Sequence, residues 1–274
     1  MQSKNLMIVE VLSASDLNEK YLSCVESYIS AWLSVPVRKQ IKFIPKVLIV
    51  AKAIPENLLQ FSEFLVLIDP LDMPTAFVSQ TARIIEAQNS DADYVMTSDI
   101  DMLPLSVSFE CALIDSQDFD PNSFFILRDV LEPGQFPICY NLAKPEVWRL
   151  LFHSYGVGSP TSKILRDILD KFGGDSAYSG LHGGSGWTID QQTLWNLIQD
   201  NVAGIKFEKF LDSQTRHRRL DRLHHRGFLK WLVLPLVLIG FYHDYHVHHP
   251  IVANMKYVKA VLRIRNSALG RSRL

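Results

Sequence analysis

The chain has 274 residues, 47% of them hydrophobic and 21% charged, with a formal net charge of −1. That is enough apolar material for one large α/β domain or two small ones, and it excludes wholesale disorder. Residues 1–200 hold 14 Lys and Arg against 25 Asp and Glu, whereas residues 201–274 hold 14 against 4, so either the two parts attract one another or the basic part faces an anionic ligand or a membrane surface.

In chain order, Asn5–Ser13 reads as a strand closed by the polar group Ser13-Ala14-Ser15-Asp16. Tyr21–Ser34 carries Leu22, Val25, Ile29, Trp32 and Leu33 at helical spacing. Ile41–Ala51 is strand-like with Pro45 at an edge or bend, and Phe64–Ile68 is a further short strand. Pro74 opens a helix over Thr75–Ala87, and Tyr94-Val95-Met96-Thr97 reads as a buried strand. Phe124–Leu127 and Phe136–Tyr140 look like additional strands. Helices are expected over Pro145–His153, over Ser162–Phe172 (ended by Gly173-Gly174) and from Ile189 to Ile198, after a flexible loop at Gly180–Gly186. Trp231–Tyr242 is apolar, a dozen residues long and interrupted by Pro235. A membrane span needs roughly 20 apolar residues, so this segment reads as a buried strand or core piece. The alternation is that of an open, mostly parallel α/β sheet, whose ligands bind beyond the carboxyl ends of the strands.

Cys24, Cys111 and Cys139 are odd in number and far apart, so a reducing compartment fits best. The N-terminal apolar run is short for a signal peptide, and a cytoplasmic protein is expected.

Three segments carry chemistry. Asp99-Ile100-Asp101 follows the Tyr94–Thr97 strand. Carboxylates at i and i+2 on a strand end point the same way and repel unless a cation lies between them. They form either a solvated turn or a site for a hard divalent ion gripping a diphosphate. Asp190-Gln191 opens a helix after the glycine loop, and Asp190 is there either a capping carboxylate or a catalytic one. Trp187, in that loop, is a flat platform for a sugar or a base. Finally, FYHDYHVHHP holds His243, Asp244, His246, His248 and His249, which is either part of a metal site or a chance cluster. His246 and His248 share a face if the strand continues.

Together these segments resemble the GT-A glycosyltransferases. The resemblance implies one α/β, Rossmann-like domain over residues 1–274, with a mostly parallel central sheet flanked by helices. In it, 1–104 is the nucleotide-binding part, 105–250 the acceptor part and 251–274 a basic C-terminal helix or tail. It implies metal-dependent transfer of a sugar from a nucleoside-diphosphate sugar, UDP favoured, to a glycan or other hydroxyl acceptor, as in polysaccharide biosynthesis. By that resemblance Asp101, with Asp99 and His246 (or His248), holds Mn²⁺ or Mg²⁺. A mixed carboxylate and imidazole shell favours Mn²⁺. Ser13, Ala14, Gln80, Arg83, Ser98 and Asp99 meet the nucleotide; Tyr140, Asn141, Trp187 and Gln191 shape the sugar and acceptor pocket; Asp190 is the catalytic carboxylate. It serves either as an inverting base or as a group that holds the acceptor or stabilises positive charge.

The stretch Arg216–Arg226, with five arginines and three histidines, either clamps a diphosphate or an anionic acceptor or is a solvated face. The acid-free tail, with Lys256, Lys259, Arg263, Arg265, Arg271 and Arg273, is either a solvated helix or a peripheral contact with an anionic membrane carrying a lipid-linked acceptor. Nucleic-acid binding has no supporting motif. Neither a phosphate-binding P-loop nor a dinucleotide fingerprint is present, and the frame from Gly183 ends in Trp187, so no nucleophile elbow forms. The alternatives are a nucleotide-sugar-forming nucleotidyltransferase, a nucleotide-sugar-binding protein without turnover, and a phosphoesterase using the His cluster.

Overall fold

The computed structural model describes residues 5–116, 120–128, 133–156, 158–181, 183–200, 204–215, 218–222 and 227–271. Its strands are β1 (Met7–Asp16), β2 (Ile41–Val50), β3 (Leu65–Ile68), β4 (Tyr94–Thr97), β5 (Met102–Pro104), β6 (Ser123–Ile126), β7 (Asn141–Ala143), β8 (Lys206–Lys209), β9 (Arg219–Asp221) and β10 (Asp244–His246). Seven form one sheet in the order β3-β2-β1-β4-β7-β6-β8, and β5-β10-β9 form a second, small one. In the large sheet β7 runs antiparallel to β4 and β6, and the other neighbours are parallel. The sheet is therefore mixed with a parallel majority, and it is flanked by helices.

Period two along the strands builds the two layers. Val9 and Val11 of β1, Phe43, Val47 and Ile49 of β2 and Met96 of β4 face one core, together with Tyr28, Ile29 and Trp32 of the helix Val25–Leu33. Leu12 and Ala14, Leu48 and Val50, and Val95 face the other. There they meet the helices Thr75–Glu86, Pro145–Leu151, Thr161–Lys171 and Ile189–Asp200. Pro45 pairs with Val11 of β1, but β3 begins its pairing only at Val47, so the proline lies where β2 has no second neighbour.

Several expectations are corrected. β1 continues through Asp16 because β2 pairs with it along its whole length. The segment Phe136–Tyr140 is not a strand; the pairing falls on Asn141–Ala143, whose neighbours β4 and β6 fix the register. The helix expected over Tyr21–Ser34 is broken into Glu19–Leu22 and Val25–Leu33. Trp231–Tyr242 is neither strand nor wholly buried: it folds as helical turns through Leu238, with Leu232 61% and Ile239 73% exposed. A short apolar run has no periodicity that separates strand from helix.

The helix Ile251–Arg271 packs on the first core. Val258 and Val261, which a membrane-lying tail would turn to lipid, are fully buried against it. Arg265 fixes this docking: its Nη1 donates to the carbonyls of Ala31 at 3.0 Å and Pro104 at 2.8 Å, and its Nη2 bonds Ser34. Burial pushes the guanidinium down to about 10. Ala31 and Ser34 end the helix Val25–Leu33, where unpaired carbonyls attract a cation. Among the described residues no helix is long and apolar enough to cross a membrane.

Candidate functional site

A cleft of about 470 Å³ opens beyond the carboxyl ends of β1 and β4. β1 supplies Ala14, Ser15 and Asp16 to its wall, and the turn after β4 supplies Asp99, Ile100 and Asp101. The helix Thr75–Glu86 is tied to β1 where Thr75 donates to Asp16 Oδ2 at 3.1 Å. It thereby turns Ser79, Gln80 and Arg83 into the cleft. Asp16 Oδ1 accepts the Asn18 amide at 3.1 Å, which turns the chain so that Lys20 and Tyr21 also line the wall.

Arg83 is the centre of one charge cluster. Its Nη1 pairs with Asp99 Oδ1 and donates to the Ser98 carbonyl at 3.1 Å, its Nη2 reaches Asp190 Oδ2 at 3.2 Å, and its Nε donates to the Gln80 carbonyl at 3.1 Å. Burial works against its charge, but Asp99 and Asp190 outweigh it and hold the guanidinium above its ordinary range. Asp190 is 2% exposed; burial pushes its carboxyl up to about 6 against the opposing pull of Arg83 and the Gln191 amide. The Gln191 amide donates to Asp190 Oδ1 at 2.8 Å.

Asp101 is the centre of the second. On its Oδ2 converge Arg222 Nη1 at 2.7 Å, His249 Nε2 at 3.1 Å and His246 Nε2 at 3.3 Å. Burial raises this carboxyl, but the His246 and His249 hydrogen bonds and the charges of His246 and Arg222 outweigh it and hold it well below the usual carboxylate range. His246 Nδ1 lies 3.4 Å from Asp221 Oδ2, which orients the ring. His246 arrives on the small sheet, where it pairs with Met102 of β5 and Asp221 of β9, and Arg222 and His249 follow the ends of β9 and β10.

The donor types here, carboxylate and imidazole, suit Mn²⁺. The arrangement is nevertheless an ion-pair cluster gathered on one oxygen. Among the described residues no group of three or more His, Cys, Asp or Glu side chains is disposed to hold a metal ion.

Of the residues singled out from sequence, Ala14, Gln80, Arg83, Asp99, Asp101, Trp187, Asp190, Gln191 and His246 all line this cleft. Trp187 is positioned by Gly186, whose φ of +76° and whose missing Cβ (one would lie 2.6 Å from the Ala177 carbonyl) admit no other residue without movement. Gln80 is held by the Tyr178 hydroxyl, which donates to its Oε1 at 2.9 Å. Ser13, Ser98, Tyr140 and Asn141 are buried and lie outside the cleft wall. The Asn141 amide donates to the carbonyls of Pro137 and Ile138, both at 2.9 Å, and so braces the loop before β7. His248 turns away to the Tyr245 hydroxyl at 3.0 Å. The strand ends at His246, so it is His249 rather than His248 that joins His246 on Asp101.

Lys20 and Tyr21 are not among the site residues that the sequence suggests, and His249 appears there only as a member of the His-rich segment. The only signal for Arg222 is its place in the Arg216–Arg226 stretch, of which Arg216, His217, Leu223, His224, His225 and Arg226 lie outside the described residues. Within that stretch Arg219 faces elsewhere, 3.5 Å from Asp244 Oδ1.

No family model and no curated protein matches the chain. Among solved structures it is similar to the apo-form glycosyltransferase GlyE of Streptococcus pneumoniae TIGR4, at 15% identity and a TM-score of 0.49 over 98% of this chain and 64% of that one. The chain thus spans about 64% of the length of GlyE. It is also similar to the galactosyltransferase LgtC in complex with donor and acceptor sugar analogs, at 14% identity and a TM-score of 0.45 over 94% and 95% of the two chains. Mouse xyloside xylosyltransferase 1 is similar at 9% identity and a TM-score of 0.45 over 88% and 97%.

Proposed function

We propose that the protein is a metal-dependent glycosyltransferase of GT-A type. It moves a sugar from a nucleoside-diphosphate sugar, UDP favoured, to the hydroxyl of a glycan or lipid-linked acceptor. The observation that carries this reading is the meeting of Asp99, Asp101, Arg83 and Asp190 in one cleft at the carboxyl ends of β1 and β4. That is where a parallel sheet receives a nucleotide. Asp101, His246 and Asp99 are the residues that would hold Mn²⁺ or Mg²⁺ in this reading. When bound, the cation neutralises the leaving diphosphate.

The chain's own residues do the rest. Ala14 and its neighbours at the end of β1 line the nucleoside end of the cleft, and Trp187 offers its face to a sugar ring. Gln80, fixed by Tyr178, presents its amide to sugar or ribose hydroxyls. Asp190 is the base: a carboxyl raised to about 6 is ionised at neutral pH yet basic enough to draw the proton from an acceptor hydroxyl. Arg83 keeps that carboxylate aimed and keeps it from becoming more basic still.

For the acceptor, the helix Ile251–Arg271 carries an exposed line of Val252, Lys256, Lys259 and Arg263 at helical spacing. It begins two residues after His249 and packs against the helix Leu234–Leu238. This face suits an anionic lipid surface. Sedimentation with phosphatidylglycerol vesicles, and none with phosphatidylcholine, is the expected result.

The test of the reaction is a thermal-shift screen against UDP, GDP, CDP and ADP, each with and without Mn²⁺. A ligand at 100 times its dissociation constant adds about 2.7 kcal/mol, several degrees for a protein of this size. One nucleotide is expected to respond, only with Mn²⁺, and to lose its effect in Asp101→Asn. A folded protein that answers to none of the four refutes the reading.

A further inference from the structure

The two carboxylates of Asp99 and Asp101 each have an arginine, and the two arginines are held very differently. Arg83, on Asp99, has four acceptors and a side chain 10% exposed. It is anchored from every side. Arg222, on Asp101, has among the described residues that one carboxylate at 2.7 Å and a long contact of 3.4 Å to the Val247 carbonyl, and its side chain is 20% exposed on the cleft wall. Arg222 is the exchangeable member of the pair.

Its position is also the one that the cation of the proposed reaction would need. The oxygen that takes Arg222 is the oxygen on which His246 and His249 converge. A guanidinium and a divalent ion on one carboxylate oxygen repel each other at a few ångströms in a poorly screened cleft. The cleft wall carries four carboxylates against three Lys and Arg side chains. A diphosphate adds at least two more negative charges, so its retention requires every cation available, including a guanidinium no longer spent on Asp101.

We propose that Arg222 and the divalent cation compete for Asp101, and that the Arg222 guanidinium, once displaced, pairs with the diphosphate of the bound nucleotide. The inference rests on the nucleotide-sugar reading above and adds to it a built-in coupling. Each ligand favours the state in which Arg222 has left Asp101, so cation and nucleotide each raise the other's affinity by the same factor. Arg222 compensates the buried carboxylate of Asp101, and the cation would take over that role.

The test is direct binding, without turnover. Mn²⁺ affinity is read from the electron paramagnetic resonance of free Mn²⁺, with and without UDP, for the wild type, Arg222→Gln and Arg222→Lys. Loss of a charged hydrogen-bond competitor is expected to tighten Mn²⁺ alone by about tenfold in Arg222→Gln. The same variant is expected to bind UDP at saturating Mn²⁺ about tenfold more weakly. The mutual enhancement of Mn²⁺ and UDP shrinks accordingly. Arg222→Lys keeps a charge that competes for Asp101, so its Mn²⁺ affinity stays near that of the wild type. It also serves as the second variant if Arg222→Gln does not fold. A wild type that binds both ligands, beside an Arg222→Gln that binds Mn²⁺ no tighter, overturns the competition alone. With only Arg222→Lys folded, Mn²⁺ affinity independent of UDP overturns it. A wild type that binds neither Mn²⁺ nor UDP overturns the competition together with the functional reading.

Discussion

Substituting Asp190 by Asn separates what this carboxylate does for the reaction from what it costs the fold. In the folded protein its carboxyl sits at about 6, against 3.8 for the free group. A carboxyl raised on folding binds its proton more tightly in the native state. Stability is therefore lost as pH rises from about 3.8 to about 6 and stays lost above that. The full cost is about 3 kcal/mol, and about 1 kcal/mol of it has accrued by pH 4.5. Asn carries none of this titration, and its side-chain oxygen can still accept from Arg83. Whatever constant offset the substitution brings cancels between two pH values. Urea unfolding of the wild type and Asp190→Asn at pH 4.5 and pH 8 should give a stability difference that moves by about 2 kcal/mol in favour of Asn at the higher pH. Contributions from Asp101 and the histidines are common to both proteins and drop out. At the same time the proposed sugar transfer should fall by on the order of 10²–10⁴-fold, and in the wild type its acidic limb should lie near pH 6. A stability difference equal at both pH values would refute the argument that Asp190 is an ionised group held at the fold's expense.

Two further outcomes follow from the buried charges. Arg83→Met strips Asp190 of its counter-ion and should cost about 3–5 kcal/mol at pH 8; adding Asp190→Asn to it should recover part of that loss, as unfolding midpoints of the double variant will show. The buried pair of His243 and Glu110, 3.0 Å apart, titrates in the other direction. Burial lowers the His243 pKa, but Glu110 outweighs it and raises it above 6.5. Its stabilisation is complete below pH 6.5 and is lost as pH climbs through the raised value. Thermal unfolding between pH 6 and pH 9 should show that slope in the wild type and lose it in Glu110→Gln.

Much of the cleft is visible in the sequence because its parts obey local rules. An apolar run followed by Asp-x-Asp marks a buried strand and its carboxyl end. Pro74 and helical spacing put Gln80 and Arg83 on a face, and a glycine turn before Ile189 marks a helix start. The small sheet is not visible, because β5, β9 and β10 have three residues each, too few for any period to register. His249 and Arg222 stand out only as members of the His-rich and basic stretches, and nothing local ties either to Asp101. What brings them to Asp101 is the path of the chain across β9 and β10, a tertiary fact with no local signature. Tyr140 and Asn141 show the converse: polar side chains near a sheet end look like ligand contacts until the bonds of Asn141 to Pro137 and Ile138 reveal a brace.

The company that Asp101 keeps has a consequence in time. Its partners Arg222 and His249 lie 121 and 148 residues later in the chain. At a synthesis rate of about 5–20 residues per second, the wait from Asp101 to His249 is about 7–30 seconds. During that wait β1, β2 and β4 can already pair, while Asp101 faces water. The Asp101 cluster is therefore completed only after every strand of the large sheet has been made. Loss of the chain beyond β8 would leave the seven-stranded sheet with all of its strands and a cleft without Arg222 and His246.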